Sequence, residues 1–123
     1  MTICSFDSNI LIDSLNGLEV AKAELEAAAS RWISRVSWIE VMSKVRPEDG
    51  RLMEGFFADF TIDEVTVPIS RHAAVLRLRR PALKLADAVI LASAQVHDRV
   101  LVTRNTKDFP PGMAGVRIPY SLP

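Results

Sequence analysis

The apolar positions of this chain change period several times, and each change marks a new element. Met1-Thr2-Ile3-Cys4-Ser5-Phe6-Asp7 is a short apolar run that stops on a carboxylate. Such a run, followed at once by helix-starting residues, predicts a buried strand feeding a helix. Ser8 is placed to cap that first helix, in which Ile10, Leu11 and Leu15 recur at helical spacing until Asn16-Gly17 ends it. A second helix is predicted over Leu18–Ala29, where strong helix formers carry one apolar stripe of Leu18, Ala21, Leu25 and Ala28. The pattern then turns to period two over Arg31–Val36, as in a strand.

Ser37-Trp38-Ile39-Glu40 fits a reciprocal capping box, which gives Glu40 a structural role of its own. Pro47 ends that helix or starts the next, where Leu52, Phe56 and Phe60 fall four apart with Met53 and Phe57 beside them. That face is wider than one core stripe needs, so Trp38, Met42, Met53, Phe56 and Phe57 together offer a surface for a partner helix. Ile62–Val67 reads as a third strand, and Pro68-Ile69-Ser70 opens a helix that runs to about Arg80 before Pro81 breaks it. Asp87–Ala94 is small and apolar nearly all round, which marks a central buried helix with an acid in its first turn. Arg99–Thr103 is a fourth, continuous apolar strand, and Val116–Tyr120 adds a short edge strand, where Pro119 is tolerated.

Strands alternating with helices predict an α/β fold: a mostly parallel central sheet of four to five strands, with helices on both faces. At 123 residues and 49% apolar content the chain suits one domain with one core. The sequence shows no membrane-length apolar run and no signal-peptide pattern, so a cytoplasmic protein without a membrane role is expected. The single cysteine, Cys4, lies in a predicted buried strand and reads as a core residue.

Charge changes the picture locally. The net charge is zero, which rules out a protein-wide basic field. Val65 to Ala86 nevertheless contains no acid while carrying Arg71, Arg77, Arg79, Arg80 and Lys84. Two readings stand: a basic patch, or cations that complement the carboxyl end of the helix before Pro81.

The parallel sheet is also what brings acids together. Asp7 ends strand one, Glu40 lies just after strand two, Asp87 opens a helix, and Asn105 and Asp108 follow strand four. The carboxyl edge of a parallel sheet is where ligands bind, because every strand-to-helix loop empties there. Carboxylates gathered in one place resist ionising unless a cation offsets them. Hard oxygen donors, with no His or Cys at zinc spacing, point to Mg²⁺ or Mn²⁺. Such ions ready a water for attack on a phosphodiester, and nearby Arg and Lys suit a nucleic-acid backbone.

Four blocks carry a resemblance: Phe6-Asp7-Ser8-Asn9, Ser37-Trp38-Ile39-Glu40, Leu85-Ala86-Asp87-Ala88-Val89-Ile90-Leu91-Ala92-Ser93-Ala94, and Leu101-Val102-Thr103-Arg104-Asn105-Thr106-Lys107-Asp108-Phe109. Together they resemble the acidic blocks of PIN domains, and in detail those of VapC-type toxins of bacterial toxin–antitoxin pairs. The resemblance covers nearly the whole chain. It implies a Mg²⁺-dependent endoribonuclease acting on RNA, a homodimer, and inhibition by a cognate antitoxin, through which alone the chain would meet operator DNA. Asp7 and Asp87 match the main metal ligands, Glu40 the third acid, and Ser8 the hydroxyl that often follows the first Asp. Ser8, and Thr103 and Arg104 of the last block, are expected to face the substrate. The fourth ligand departs from the pattern, since Asn105 stands where many relatives have Asp and Asp108 lies three residues on. Its charge makes Asp108 the better ion ligand, and Asn105 the better orienter of water or substrate.

Other classes fit less well. A phosphoacceptor receiver would carry its aspartate after strand three, where Val65-Thr66-Val67-Pro68 offers none, and a haloacid-dehalogenase-type phosphatase needs Asp-x-Asp where Asn9 stands. The remaining alternative is a catalytically weak PIN scaffold kept for binding an antitoxin or DNA-binding partner.

Overall fold

A computed structural model of the chain describes residues 3–123. The elements in order are β1 (Cys4–Phe6), α1 (Ser8–Leu15), α2 (Glu19–Ala27), β2 (Arg31–Ser34), α3 (Arg35–Met42) and α4 (Gly50–Phe57). They continue with β3 (Thr61–Asp63), α5 (Val67–Arg79), α6 (Leu85–Val96), β4 (Val100–Val102) and β5 (Val116–Arg117). All four strand pairings are parallel and the sheet order is β3-β2-β1-β4-β5, so the first strand occupies the middle. Met1 and Thr2 of the predicted first strand lie outside the described residues.

The period of two along the strands divides the interior into two cores. Leu101 and Val102 are adjacent in β4 yet enter different clusters, because successive side chains of a strand point to opposite faces. Val102 joins Phe6, Ile10, Leu11, Ile33, Met53 and Phe57 on the side of α1 to α4. Leu101 joins Ile69, Ala73, Ile90, Leu91 and Phe109 on the side of α5 and α6. Helix α6 is buried from Ala88 through Ala94 without a break, which explains its small, apolar composition. Cys4 is buried as a core residue.

Several boundaries differ from the sequence reading, for local reasons. Helix α1 is capped by Asp7, whose carboxylate accepts from Ser8 N at 2.7 Å. Ser8 is therefore the first helical residue, and its hydroxyl is free for another partner. Helix α3 starts at Arg35 and is capped by Ser34, whose Oγ accepts from Val36 N at 3.1 Å. The capping box expected at Ser37 and Glu40 does not form: Ser37 lies inside the helix, fully buried, and Glu40 is released from that role. β5 pairs with β4 at the sheet edge and ends at Arg117, so Pro119, expected within it, lies beyond the strand. No helix among the described residues is long and apolar enough to cross a membrane.

Candidate active site

Two strand ends, the middle of α3 and the start of α6 supply the site. Asp7 leaves β1 with its amide donating to Val102 O at 2.9 Å, so the first acid is tied directly to the end of β4. The loop that continues β4 then folds back onto it. Thr103, fully buried, donates its hydroxyl to Asp7 Oδ2 at 2.8 Å. Asn9 reaches the same place, with Nδ2 at 3.4 Å from Asp7 Oδ2 and 3.2 Å from Thr103 Oγ1. Its Oδ1 accepts from Arg104 N at 3.3 Å. Both carboxylate oxygens of Asp7 are thus fixed in direction although only 3% of the residue is exposed.

Glu40 comes from the middle of α3 and accepts from Ser8 Oγ at 2.9 Å. The hydroxyl that Asp7 freed by taking the cap position is what orients the third acid. On the far side, Asn105 and Asp108 form a closed pair: Asn105 Nδ2 donates to Asp108 Oδ2 at 3.0 Å, and Asp108 N donates to Asn105 Oδ1 at 3.2 Å. The Asn105 amide is spent on Asp108, so it acts as the turn-forming residue that aims this carboxylate.

Asp87 feels the charges of the other three acids. The Asp87 carboxyl is pushed up to about 6 by burial, then by the charges of Asp7 and Asp108, by a hydrogen bond shared with Asp108, and by Glu40. Its place in the first turn of α6 favours the anion through the helix dipole, and this is outweighed. The Asp7 carboxyl is also raised, first by its burial, although the bonds from Thr103 and Ser8 oppose the rise. Asp108 moves the other way: the Asn105 amide, then the bond with Asp87, hold it below the usual carboxylate range. Of the two, Asp87 is the one that takes up a proton first as pH falls. None of Asp7, Glu40, Asp87 or Asp108 has a lysine, arginine or histidine ion-pair partner among the described residues.

The three residues expected to face the substrate each have a partner within the protein, Ser8 being the one that holds Glu40. Thr103 is enclosed and serves Asp7. Arg104 turns to Asp13, donating through Nε and Nη2 at 2.6 and 2.8 Å to its two carboxylate oxygens, and Tyr120 donates its hydroxyl to the same carboxylate at 2.7 Å. Sequence reasoning passed over Asp13 and Tyr120. Asp13 lies on α1 beneath the site and holds the backbone of the 103–105 loop through Arg104, while Tyr120 brings in the C-terminal segment. The one available signal was an acid at a core-facing position of α1.

Among the described residues, no three acidic, histidine or cysteine side chains converge into a closed metal cage; carboxylates facing one another repel and spread. The donor set is nonetheless all oxygen and strongly anionic, and the raised Asp87 carboxyl registers an uncompensated negative field. Both features fit a hard divalent cation.

The sequence model of the PIN domain matches residues 5–110. The chain belongs to the PIN domain family. Ribonuclease VapC10 of Mycobacterium tuberculosis is 32% identical over 124 residues, covering 95% of this chain and 92% of the relative. Among solved structures, a toxin–antitoxin complex from Klebsiella pneumoniae is 40% identical with a TM-score of 0.89, over 97% of this chain and 99% of that one. DNA-bound VapBC from Salmonella typhimurium shares the fold, with a TM-score of 0.81 and 21% identity over 96% and 97% of the two chains. PIN-domain nucleases are in general dependent on divalent metal.

Proposed function

We propose that this protein is an endoribonuclease, the toxin of a type II toxin–antitoxin pair, and that it hydrolyses RNA phosphodiester bonds with Mg²⁺ bound at Asp7, Glu40, Asp87 and Asp108. The observation that carries this reading is the gathering of Asp7, Glu40 and Asp108 around Asp87, whose carboxyl is raised to about 6 first by burial and then by those acids, none of the four having an ion-pair partner among the described residues. The likeness to Ribonuclease VapC10 supports the reaction, and the 40% identical toxin–antitoxin complex supports the partner. Mn²⁺ fits the same donors.

The chain's own residues supply alignment. Thr103 and Asn9 fix Asp7, Ser8 fixes Glu40, and Asn105 fixes Asp108. A bound divalent ion lowers the pKa of a coordinated water and offsets charge on the phosphate. In the hydrolysis the water oxygen bonds to phosphorus, the bond to one ester oxygen breaks, and that oxygen leaves with a proton. Rigid acids matter here because their geometry must be correct before the substrate arrives.

The apolar surface between α3 and α4 is the proposed docking face for the antitoxin. A cavity of about 370 Å³ there is lined by Trp38, Met42, Met53 and Phe57, dimensions suited to side chains from a docking helix. Phe57 is part of the core at 7% exposure, so Trp38→Ala and Met42→Ala are the informative variants, and each should weaken antitoxin binding. A homodimer is expected, and light scattering measures it.

The deciding experiment incubates the purified chain with a mixed RNA pool, with and without Mg²⁺, and maps new ends. New ends that require Mg²⁺ and disappear in Asp87→Asn are expected. Mg²⁺-independent ends, or none, would leave a binding scaffold.

A further inference from the structure

Seven of the chain's fifteen lysines and arginines form ion pairs among the described residues, Lys22 with Glu19 and Arg31 with Asp59 among them. Arg35 meets Glu64, Arg46 meets Asp49, Arg99 meets Asp63, Arg104 meets Asp13 and Arg117 meets Glu24. The turn between α5 and α6 differs. Arg80 and Lys84, on either side of Pro81, form no ion pair among the described residues, and neither does Lys107 in the loop after β4. All three are exposed.

Their placement is built. Arg80 Nη2 donates to the backbone carbonyl of Asp108 at 2.7 Å, which pins the turn against the loop that carries the fourth acid. Arg77 Nε donates to Leu83 O at 3.1 Å and closes the turn from within. Carbonyls are neutral partners, so each guanidinium keeps its charge and most of its five donors. Lys84 is the cap residue of α6, three positions before Asp87, and Lys107 is next to Asp108. Asp108 is held down first by Asn105 and also feels Lys84 and Lys107. A cluster of uncompensated cations thus borders one side of an uncompensated acidic cleft, in a protein of zero net charge.

That adjacency suits one kind of ligand. A polyanion with regularly spaced phosphates can rest some of them on the cations and offer another to the acids. We propose that the α5–α6 turn, with Arg80, Lys84 and Lys107, is the phosphate track of the RNA substrate, along which a single strand lies while one phosphodiester enters the acidic site. This rests on the ribonuclease reading and adds where the strand runs. Acidic protein segments carry the same sign of charge but offer no phosphodiester bond for the site to cut.

The test measures anisotropy of a short fluorescent single-stranded RNA bound to the full chain in chelator, between about 50 and 200 mM salt, where each phosphate contact contributes roughly −0.7 to the logarithmic salt slope. The triple variant Arg80→Gln, Lys84→Gln and Lys107→Gln should flatten the slope by about 2 and weaken binding on the order of a hundredfold at about 0.1 M salt. With Mg²⁺ present, its loss should appear in KM rather than kcat, as for uniform binding. Lys22→Gln with Arg51→Gln, on α2 and α4, should change neither quantity. Arg80 also holds backbone, so Lys84→Gln with Lys107→Gln alone must show the same direction at an unchanged melting temperature. Wild-type affinity and slope in both variants, in a chain that cuts RNA, would overturn the track and leave the ribonuclease standing. So would a variant that loses only its affinity for polyglutamate, which would assign the turn to a protein partner. A wild-type chain that neither binds nor cuts RNA would remove both proposals together.

Discussion

Asp7 and Asp13 lie six residues apart at the two ends of one turn-and-a-half of α1, and both are almost fully buried, at 3% and 6% exposure. Their chemistry is opposite. Asp7 accepts only neutral donors, from Thr103, Ser8 and Asn9, and burial raises its carboxyl. Asp13 faces the Arg104 guanidinium, which holds its carboxyl below the usual range against the cost of burial, with Tyr120 adding a second donor. A buried acid with its own cation is complete and stabilises structure. One without a cation is a destabilising group that the fold keeps for a ligand of opposite charge. The sheet edge therefore holds an open site directly above a closed latch, and the latch keeps the 103–108 loop in place for the site.

The comparison is sharpest in activity. Asp7→Asn and Asp87→Asn should each reduce RNA cleavage at least about a hundredfold, because ligands acting as a unit fail together. Asp13→Asn should retain far more activity at a temperature where it is folded. A rate for Asp87→Asn within about threefold of wild type, less than the roughly 1.36 kcal/mol of a tenfold change, would remove it from the site.

Stability should show the reverse order. Asp13→Asn leaves the Arg104 charge without its partner and should cost about 2 kcal/mol, which for a chain of this size is roughly 8 °C in melting temperature. In metal-free protein Asp7→Asn and Asp87→Asn should be neutral or stabilising, since each relieves like-charge repulsion. Thermal melts in chelator read both. Damage by Asp87→Asn and tolerance of Asp13→Asn would exchange the two assignments.

Acidity separates the pair again. The folded Asp87 carboxyl, at about 6 against 3.8 for the ordinary group, binds more protons than the unfolded one between those values. Its contribution to metal-free stability therefore falls as pH rises from about 4 to 6. Asp13 is lowered, so its contribution is present above the unfolded value and lost as pH falls below it. Mg²⁺ should raise the melting temperature at pH 7.5 and lose that effect as pH drops through about 6, when Asp87 holds its proton. A Mg²⁺ stabilisation unchanged between pH 5 and 8 would separate Asp87 from the metal.

The smallest expected effect concerns the fourth position. Asp108→Asn should raise the Mg²⁺ concentration for half-maximal rate. Asn105→Ala should move it less in the same direction, because the amide aims Asp108 and does not itself supply charge. A metal titration separates the two variants, and wild-type behaviour in both would leave Asp7, Glu40 and Asp87 as the whole site.

The chain by itself determined the alternation of strands and helices, the buried character of α6, and the rim positions of Asp7, Asp87 and Asp108, since each is written in local periodicity and in the residue that follows a strand. Even Glu40 was legible as an acid just after β2, although the capping box credited to it does not exist. What only the tertiary structure decided is what each acid touches. Ser8 meets Glu40 across 32 residues, Arg104 meets Asp13 across 91, Thr103 meets Asp7 across 96 and Tyr120 meets Asp13 across 107. No helical or strand period encodes such pairs. They arise because β4 lies beside β1 in the sheet, and strand order is set by burying two faces at once, a property of the whole chain. Whether a buried carboxylate becomes a latch or a ligand follows from that order, and from nothing in its own neighbourhood of sequence.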